Sequence, residues 1–293
     1  MEFFGKTSLD LKEAILASLA YYDLFSYPLT DNEVWFWLPK KANLNLVKRQ
    51  LRLLVDQGQV NYQFPFYFLS RSKIIAQRRE REFFSKQKLI RAKKIGQKLA
   101  RFPWVRAVAV SGNLTMKAAG LDDDIDFLIF AQKNCLYRAR LISVLATEFW
   151  GLRRRPGQVL APDKICLNLF LENNNLLLPP SRRDFYTAHE ALQLLPVAGN
   201  NRCYWKFLKN NNWLASFLPQ AYRSRFQDGF INDDDLLIDK KSLFEELAKT
   251  TQLAYMRHRG NNKLTGRQLF FHPKDQRQKI LARFEKKWQK LIS

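Results

Sequence analysis

Several residue types are scarce in this chain of 293 residues, and each scarcity excludes a class of protein. There are only three cysteines, which lie far apart, so a disulfide framework is excluded and a reducing, cytoplasmic location is expected. Glycine and proline number 11 each, too few for a collagen-like or low-complexity chain. No apolar run approaches the roughly 20 residues of a membrane-spanning helix, and the first residues lack the pattern of a signal peptide.

Acidic residues are scarce relative to basic ones. The chain has 49 Lys and Arg against 27 Asp and Glu, a formal net charge of +22. Residues 76–104 carry 10 basic residues against 2 acidic ones, and residues 181–293 carry 21 against 11. The electrostatic field of this surplus attracts polyanions, so we expect DNA or RNA, an anionic membrane surface or a phosphorylated substrate as a partner. An ordinary solvated surface is the alternative.

Hydrophobic residues make up 46% of the chain, enough for folded cores, and the length predicts two domains or three small ones. Residues 1–70 have the pattern of a winged helix-turn-helix, in which three helices precede a hairpin of two short strands. The second helix begins with the capping-box pair Thr30 and Glu33, and the third runs from about Asn43 to Gln57.

The outer face of that third helix is the predicted contact with nucleic acid. Its polar residues follow helical spacing and would face the major groove of DNA if this is a recognition helix: Asn45, Lys48, Arg49 and Arg52. The alternative is a solvated face on a protein–protein adaptor. Residues 71–104 are expected to form one long basic connecting helix, which either joins two domains or contacts a phosphate backbone. Its apolar side would consist of Ile75, Phe83, Leu89, Ile90 and Ile95.

Residues 105–130 carry the most specific pattern in the chain. An apolar strand, Val105 to Val110, is followed by the turn Ser111-Gly112-Asn113, and a short helix is expected from about Leu114 to Ala119. The triplet Asp124-Ile125-Asp126 then begins a second apolar strand. Residues i and i+2 of a strand face the same side, so the two carboxylates should point together, as a Mg²⁺ site requires. The glycine turn at a helix start would offer backbone N–H groups to phosphates.

This strand, Ser-Gly turn, helix and Asp-x-Asp strand resemble the signature of the DNA polymerase β-like nucleotidyltransferase superfamily. The resemblance implies that Asp124 and Asp126 are catalytic and bind Mg²⁺, and that Ser111, Gly112 and Asn113 bind the nucleotide. It also implies transfer of a nucleoside monophosphate from a nucleoside triphosphate to a hydroxyl acceptor. Phrases such as YYDLFSYPLT resemble bacterial and archaeal nucleotidyltransferase-domain proteins over most of the chain, which implies no particular acceptor.

One position departs from the superfamily pattern. Active members usually have a third carboxylate on a later strand, and the best later strand here, residues 164–171, has Asn168 at its centre. An amide cannot act as a general base at neutral pH. Asp163 or Glu172 could supply the third carboxylate instead. Two hypotheses therefore remain open: a Mg²⁺-dependent nucleotidyltransferase, or a non-catalytic nucleic-acid-binding or regulatory protein with a degenerate nucleotidyltransferase domain.

The sequence thus predicts an α+β protein in four parts. They are a winged helix-turn-helix (1–70), a basic helical connector (71–104), a nucleotidyltransferase-like mixed sheet with helices (105–180) and a helical C-terminal region (181–293). Near the end, an amphipathic helix with an apolar stripe is expected to dock on its own domain. The three histidines lack metal-ligand spacing, although His189 with Glu190 could reach the nucleotide pocket.

Overall fold

In a computed structural model, the chain forms a small N-terminal unit, then one long helix, and then a mixed sheet with further helices. The structure describes residues 9–70, 73–155, 157–158, 160–226, 243–258, 264–265, 268–270 and 276–292. Over these residues the protein is mixed α+β, as the sequence predicts. Within them, no helix combines the length and the apolar character needed to span a membrane.

The N-terminal unit, residues 9–70, contains three helices and a small antiparallel sheet. Its elements are α1 (Leu11–Asp23), β1 (Leu29–Thr30), α2 (Asp31–Phe36), α3 (Leu44–Asp56), β2 (Asn61–Gln63) and β3 (Phe66–Phe68). The strands lie in the order β1-β3-β2. The capping box predicted at the start of α2 is present, because Thr30 and Glu33 each accept a hydrogen bond from the other's backbone N–H. Three helices followed by a hairpin is the expected order of elements.

The basic connector is a single 27-residue helix, α4 (Lys73–Leu99), as predicted. Its buried side was predicted only in part, because Ile75 and Ile95 are buried as expected. Phe83 and Ile90 are exposed, whereas the cations Arg78 and Lys88 are buried. Arg78 attaches α4 to the N-terminal unit through an ion pair with Glu33 at 2.8 Å, and it also pairs with Glu82 of α4 itself at 3.0 Å. Buried charges of this kind are satisfied by partners that a helical pattern cannot reveal.

A six-stranded mixed sheet forms the centre of the protein. Its strands are β4 (Val105–Ser111), β5 (Ile125–Ala131), β6 (Ile165–Glu172), β7 (Leu195–Gly199), β8 (Leu264–Thr265) and β9 (Gln268–Phe270). They lie in the order β7-β4-β5-β6-β9-β8. β5 and β6 pair in parallel and are joined through α5 (Leu136–Phe149), while the other pairs are antiparallel. A helix is the usual connection between parallel neighbours.

The C-terminal region is less purely helical than the sequence suggests. It contributes β7, β8 and β9 to the sheet, so the boundary expected at residue 180 does not separate the sheet from the C-terminal region. Leu195, expected on a helix, begins β7. The helices among the described residues of this region are α6 (Phe185–Gln193), α7 (Arg202–Asn210), α8 (Leu214–Phe217), α9 (Pro219–Arg225), α10 (Leu243–His258) and α11 (Arg277–Ile292).

The sheet is covered on both faces. Ala107, Ala109, Leu128 and Phe130 belong to a core that also contains the N-terminal unit, helices α6 and α7, and α11. The alternate residues of β4 and β5 belong to a second core with α4, α5 and α10: Val108, Val110, Phe127 and Ile129. Strands buried on both faces are apolar at every position, which explains the continuous runs in the sequence.

The N-terminal unit and the C-terminal helices therefore share one core instead of forming two separate ones. Phe185 of α6 and Phe284 of α11 pack around Tyr21 of α1, with ring centroids 5.3 and 5.9 Å from the Tyr21 ring. The terminal helix α11 docks on its own protein, as expected, with Leu281 and Phe284 buried.

Candidate active site

The two aspartates lie at the start of β5, between two neighbouring strands. Asp126 pairs with Ser111 of β4 on one side and with Cys166 of β6 on the other. Asp124 precedes the strand by one residue, and Ile125 between them is fully buried. The sheet therefore brings together, at one end of its central strands, the Ser111 turn, the aspartate pair and the start of β6.

The glycine turn lies directly against Asp126. Gly112 has a φ of +69°, and a Cβ atom at this position would lie 2.8 Å from Oδ2 of Asp126. A side chain other than hydrogen would therefore collide with the carboxylate and strain the backbone. Glycine is required here both by conformation and by the close approach.

The helix expected after this turn is a 3₁₀ helix that begins two residues earlier and ends three residues earlier than predicted. A single 3₁₀ helix covers Gly112–Met116, and Lys117 ends it in the left-handed conformation with a φ of +58°. A single turn has almost no macrodipole, so anion binding here would depend on individual N–H groups. The side chain of Asn113 serves the loop, because its Nδ2 donates to Oδ2 of Asp123 at 3.4 Å, so any contact of Asn113 with a phosphate would come from its backbone N–H.

Asn168 lies beside the aspartates, on the face of β6 that points toward them. Its Nδ2 donates a short hydrogen bond to Oδ1 of Asp126. The register between β5 and β6 shifts here, with Phe127 opposite Leu167 and Leu128 opposite Leu169, so Asn168 is the extra residue of a β-bulge. Bulges of this kind redirect a side chain next to a site.

The two acidic residues considered as replacements for a third carboxylate are engaged elsewhere. Asp163 accepts from Nζ of the buried Lys88 at 2.9 Å and pairs with Arg91 at 3.5 Å. Glu172 is buried at the other end of β6 and accepts from the backbone N–H of Asn134. Neither carboxylate joins Asp124 and Asp126.

Cys166 is a site residue that the sequence argument missed. One oxygen from each aspartate and the Cys166 Sγ all lie within 4.8 Å of one another, a spacing that suits shared coordination of a metal ion. The Cys166 thiol also donates to Oδ1 of Asn168 at 2.9 Å. The signal was available, because Cys166 and Asn168 are two residues apart on a predicted strand and so share a face.

Arg154 is the second residue that was missed. Its Nη1 donates to Oδ2 of Asp124 at 2.7 Å, and its Nη2 donates to the carbonyl of Gln158 at 3.2 Å. The backbone N–H of Arg154 donates to the carbonyl of Ile165 at 2.9 Å, which ties this loop to β6. A loop arginine 30 residues from its partner leaves no periodic pattern in the sequence.

Burial and neighbouring charge perturb the acids of this cluster. Burial, with a smaller effect of Asp124, raises the pKa of Asp126 to about 7, although the hydrogen bonds from Asn168 and Cys166 oppose the shift. Burial also raises the pKa of the Cys166 thiol. Burial raises the pKa of Glu190 on α6 to about 7, and its charge acts on Asp126. Acidic groups that are partly buried close together in this way are stabilised by a bound cation.

His189 does not belong to the site. Its ring is fully buried and stacks on Tyr21, with ring centroids 3.9 Å apart, and its Nδ1 lies 2.9 Å from the carbonyl of Phe185. Burial lowers the pKa of His189 to about 3. It is a neutral core residue. The His258 side chain and His272 lie outside the described residues.

The basic residues predicted to contact nucleic acid lie on α3, and none of their described contacts involves the aspartate cluster. Arg49 and Arg52 are exposed, whereas Lys48 pairs with Asp31 at 3.3 Å. Leu46 and Leu53 are about half exposed on the same helix. The free charge of this face is therefore carried by two arginines, flanked by apolar side chains.

Comparison of the chain with protein-family models, with curated proteins and with solved structures finds no match. The functional interpretation therefore depends on the cluster itself. Its donor set fits a divalent cation, because two carboxylates and a thiol converge within coordination reach. Gly112 leaves open the space beside one Asp126 oxygen.

Proposed function

We propose that this protein is a Mg²⁺-dependent nucleotidyltransferase of the DNA polymerase β-like superfamily, which moves a nucleoside monophosphate from a nucleoside triphosphate to a hydroxyl acceptor. The observation that carries the proposal is the close approach of the glycine turn to Asp126, one member of the aspartate pair. Gly112 approaches Asp126 so closely that phosphates on the turn would lie next to a cation on the carboxylates. The glycine turn and the aspartate triplet, which are separate in the sequence, thus lie side by side in the fold.

Each residue has a role in this proposal. Asp124 and Asp126 hold the cation, and Ser111, Gly112 and Asn113 present backbone N–H groups to the phosphates. A bound Mg²⁺ would neutralise phosphate oxygens and lower the pKa of the acceptor hydroxyl. Arg154 lies at 2.7 Å from Asp124, so its guanidinium is available to phosphate oxygens when a cation takes its place on the carboxylate.

The surrounding fold supports this assignment at a coarser level. β4 and β5 are antiparallel neighbours joined through the glycine turn, and β6 extends the sheet in parallel. In the N-terminal unit, three helices precede a hairpin, the order of a winged helix-turn-helix, which would bring a polynucleotide toward the protein. A net charge of +22 favours an acceptor that is itself a polyanion, such as DNA or RNA.

A non-catalytic nucleic-acid-binding or regulatory role is the second candidate, and two observations favour it. An amide stands where the superfamily has its third carboxylate, and that amide already bonds to Asp126. Arg154 also neutralises Asp124, as a resident cation would in a site that has lost its metal. Such a protein would bind nucleotide or nucleic acid without transfer.

Incubation with α-labelled nucleoside triphosphates, Mg²⁺ and a cell extract separates the two candidates. The enzyme should label one acceptor in the extract, and Asp124→Asn with Asp126→Asn should abolish the label. Asp122→Asn is the matched control, because Asp122 is an exposed neighbour outside the cluster. Nucleotide binding without label in any extract would favour the non-catalytic role.

A further inference from the structure

The third protein ligand of the cluster is a sulfur atom. We propose that Cys166 coordinates the metal together with Asp124 and Asp126, so that the site prefers thiophilic divalent ions such as Zn²⁺ and Co²⁺ to Mg²⁺. This inference rests on the metal site of the proposed function and gives that site a different ion selectivity. It is carried by the position of Cys166, by the spacing of the donors and by the role of Asn168.

The strand register places Cys166 next to Asp126. The two residues are direct partners in the parallel ladder between β5 and β6. Neighbouring strands lie about 4.8 Å apart, and residues at matching positions project to the same face. Two rigid strands therefore hold the thiol beside the carboxylate, as a coordination site on a sheet requires.

The spacing of the three donors is close to that of a coordinated ion. Their atoms lie within 4.8 Å of one another, and the centre of a triangle with that edge is about 2.8 Å from each corner. Zn–S bonds are about 2.3 Å and Zn–O bonds about 2.0–2.2 Å. Side-chain movements of well under about 1 Å would thus close the site. Three protein ligands would leave one position open for water or a phosphate oxygen.

The chemical type of the three donor atoms determines which ion binds most tightly. Mg²⁺ is a hard cation that prefers six oxygen ligands, and a thiolate is a poor ligand for it. Zn²⁺ and Co²⁺ accept sulfur and oxygen together in tetrahedral sites. The cluster offers two oxygens and one sulfur within reach, so replacing Mg²⁺ by a thiophilic ion gains a ligand.

Asn168 is then a positioning residue and not a degraded ligand. Its Nδ2 donates to Asp126 and its Oδ1 accepts from the Cys166 thiol at 2.9 Å, so one amide orients two ligands. Second-layer hydrogen bonds of this kind fix ligand geometry. A carboxylate at residue 168 would add a fourth negative charge to two carboxylates and a thiolate. The neutral amide fits a site whose third ligand is sulfur.

Spectroscopic titration of the full-length, metal-free protein with Co²⁺ tests the inference. Coordination by Cys166 should produce a near-ultraviolet sulfur-to-cobalt charge-transfer band, which disappears in Cys166→Ser. Loss of this ligand should weaken Zn²⁺ binding by at least about tenfold and leave Mg²⁺ affinity nearly unchanged. Cys203→Ala is the control, because Cys203 is buried in the core with α6 and α7 and should not affect the band.

The outcomes separate this inference from the proposed function. Co²⁺ binding without a charge-transfer band, or a band that persists in Cys166→Ser, overturns the role of Cys166 and leaves the carboxylate site in place. Absence of binding for Co²⁺, Zn²⁺ and Mg²⁺ alike overturns the metal site and with it the proposed function.

A second measurement on the wild-type chain covers the case in which Cys166→Ser fails to fold. Iodoacetamide labelling of the Cys166 peptide, followed by mass spectrometry, should be slowed by Zn²⁺ and not by an equal concentration of Mg²⁺. Equal labelling rates with and without Zn²⁺ would overturn the inference, since a coordinated thiolate is protected from alkylation.

Discussion

Arg154 donates to Asp124 at 2.7 Å and so places a positive charge on one carboxylate of the candidate metal site. The contact joins a loop to the start of β5, and the guanidinium is about one-third exposed. A metal ion and Arg154 therefore compete for Asp124, while a triphosphate would attract both. Removal of Arg154 is therefore expected to affect metal binding and nucleotide binding in opposite directions.

Arg154→Gln should tighten divalent metal binding and weaken nucleotide binding. Removing the competing cation should increase metal affinity by about threefold to tenfold, as expected for a partly exposed ion pair worth about 1 kcal/mol. Loss of a phosphate contact should weaken nucleotide affinity by a similar factor. Isothermal titration with each ligand measures both effects.

Arg155→Gln is the matched control, because the exposed Arg155 pairs with Glu148 and not with the aspartates. It should leave metal binding unchanged. If Arg154→Gln weakened the binding of both ligands, the competition would be wrong and Arg154 would serve to hold Asp124 in place.

Gly112→Ala should abolish metal-dependent nucleotide binding and destabilise the fold. The new Cβ would lie 2.8 Å from Oδ2 of Asp126, and the φ of +69° is strained for alanine, which together should cost about 1–3 kcal/mol. Gly120→Ala is the control, because a Cβ there meets nothing within 4 Å. Chemical denaturation and calorimetry give the two readouts. Nucleotide binding as strong as that of the wild type in Gly112→Ala would show that the turn is not part of the site.

Local patterns in the sequence predicted the elements that depend on neighbouring residues. The capping box at Thr30 and Glu33 is a short-range arrangement. The runs Ala107–Val110 of β4 and Phe127–Ala131 of β5 are apolar because both faces of the sheet are covered there. The Ser111-Gly112 turn and the aspartate triplet were also placed correctly relative to each other, since the connection between them is short.

Features that depend on distant partners were missed. Lys88 is buried on α4 because it donates to Asp163, 75 residues away. The many basic residues of α4 predicted an exposed charged face, so the burial of Lys88 was not expected. Arg154 and Cys166 reach the aspartates only through the parallel pairing of β5 and β6. β7 is a short strand containing Pro196, and it was mistaken for helix because its partner β4 lies far away in the chain.

Asn168→Asp should lower stability without metal and restore it with metal. The amide now donates to Asp126, and a carboxylate in its place would repel the two aspartates. We expect a loss of about 1–3 kcal/mol at pH 8, less at pH 5, and recovery when Mg²⁺ is added. Thermal melts with chelator, with Mg²⁺ and with Zn²⁺ measure the difference. A loss that neither ion reverses would indicate that residue 168 serves only the core.

Arg49→Ala with Arg52→Ala should weaken binding to duplex DNA and reduce its salt dependence. Both arginines are exposed on α3, and each phosphate contact contributes about −0.9 to the log–log salt slope. The double variant should therefore lose up to about 1.8 from that slope. Lys48→Ala is the control and should have a smaller effect, because Lys48 pairs with Asp31. An unchanged slope in the double variant would assign DNA binding to another surface, such as the exposed cations of α4.

Glu190→Gln should stabilise the metal-free protein above neutral pH. Burial raises the pKa of Glu190 from 4.5 to about 7, so the folded state prefers the protonated carboxyl. The wild-type protein incurs no cost below about pH 4.5, loses stability as the pH rises, and carries the full cost above about pH 7. Glutamine resembles the protonated form and avoids that cost, which is at most about 3 kcal/mol for a shift of this size.

The melting temperatures of the two proteins should thus coincide near pH 4.5 and diverge up to pH 8, with the variant higher. The pKa of Asp126 is shifted in the same direction, so the variant should still lose some stability over this range. Asp184 is unsuitable as a comparison because its carboxylate caps α6, whereas Glu246 is exposed on α10 and Glu246→Gln is the matched control. A variant that is less stable than the wild type at pH 8 would contradict the prediction and would indicate that the Glu190 carboxylate makes a stabilising contact in the folded protein.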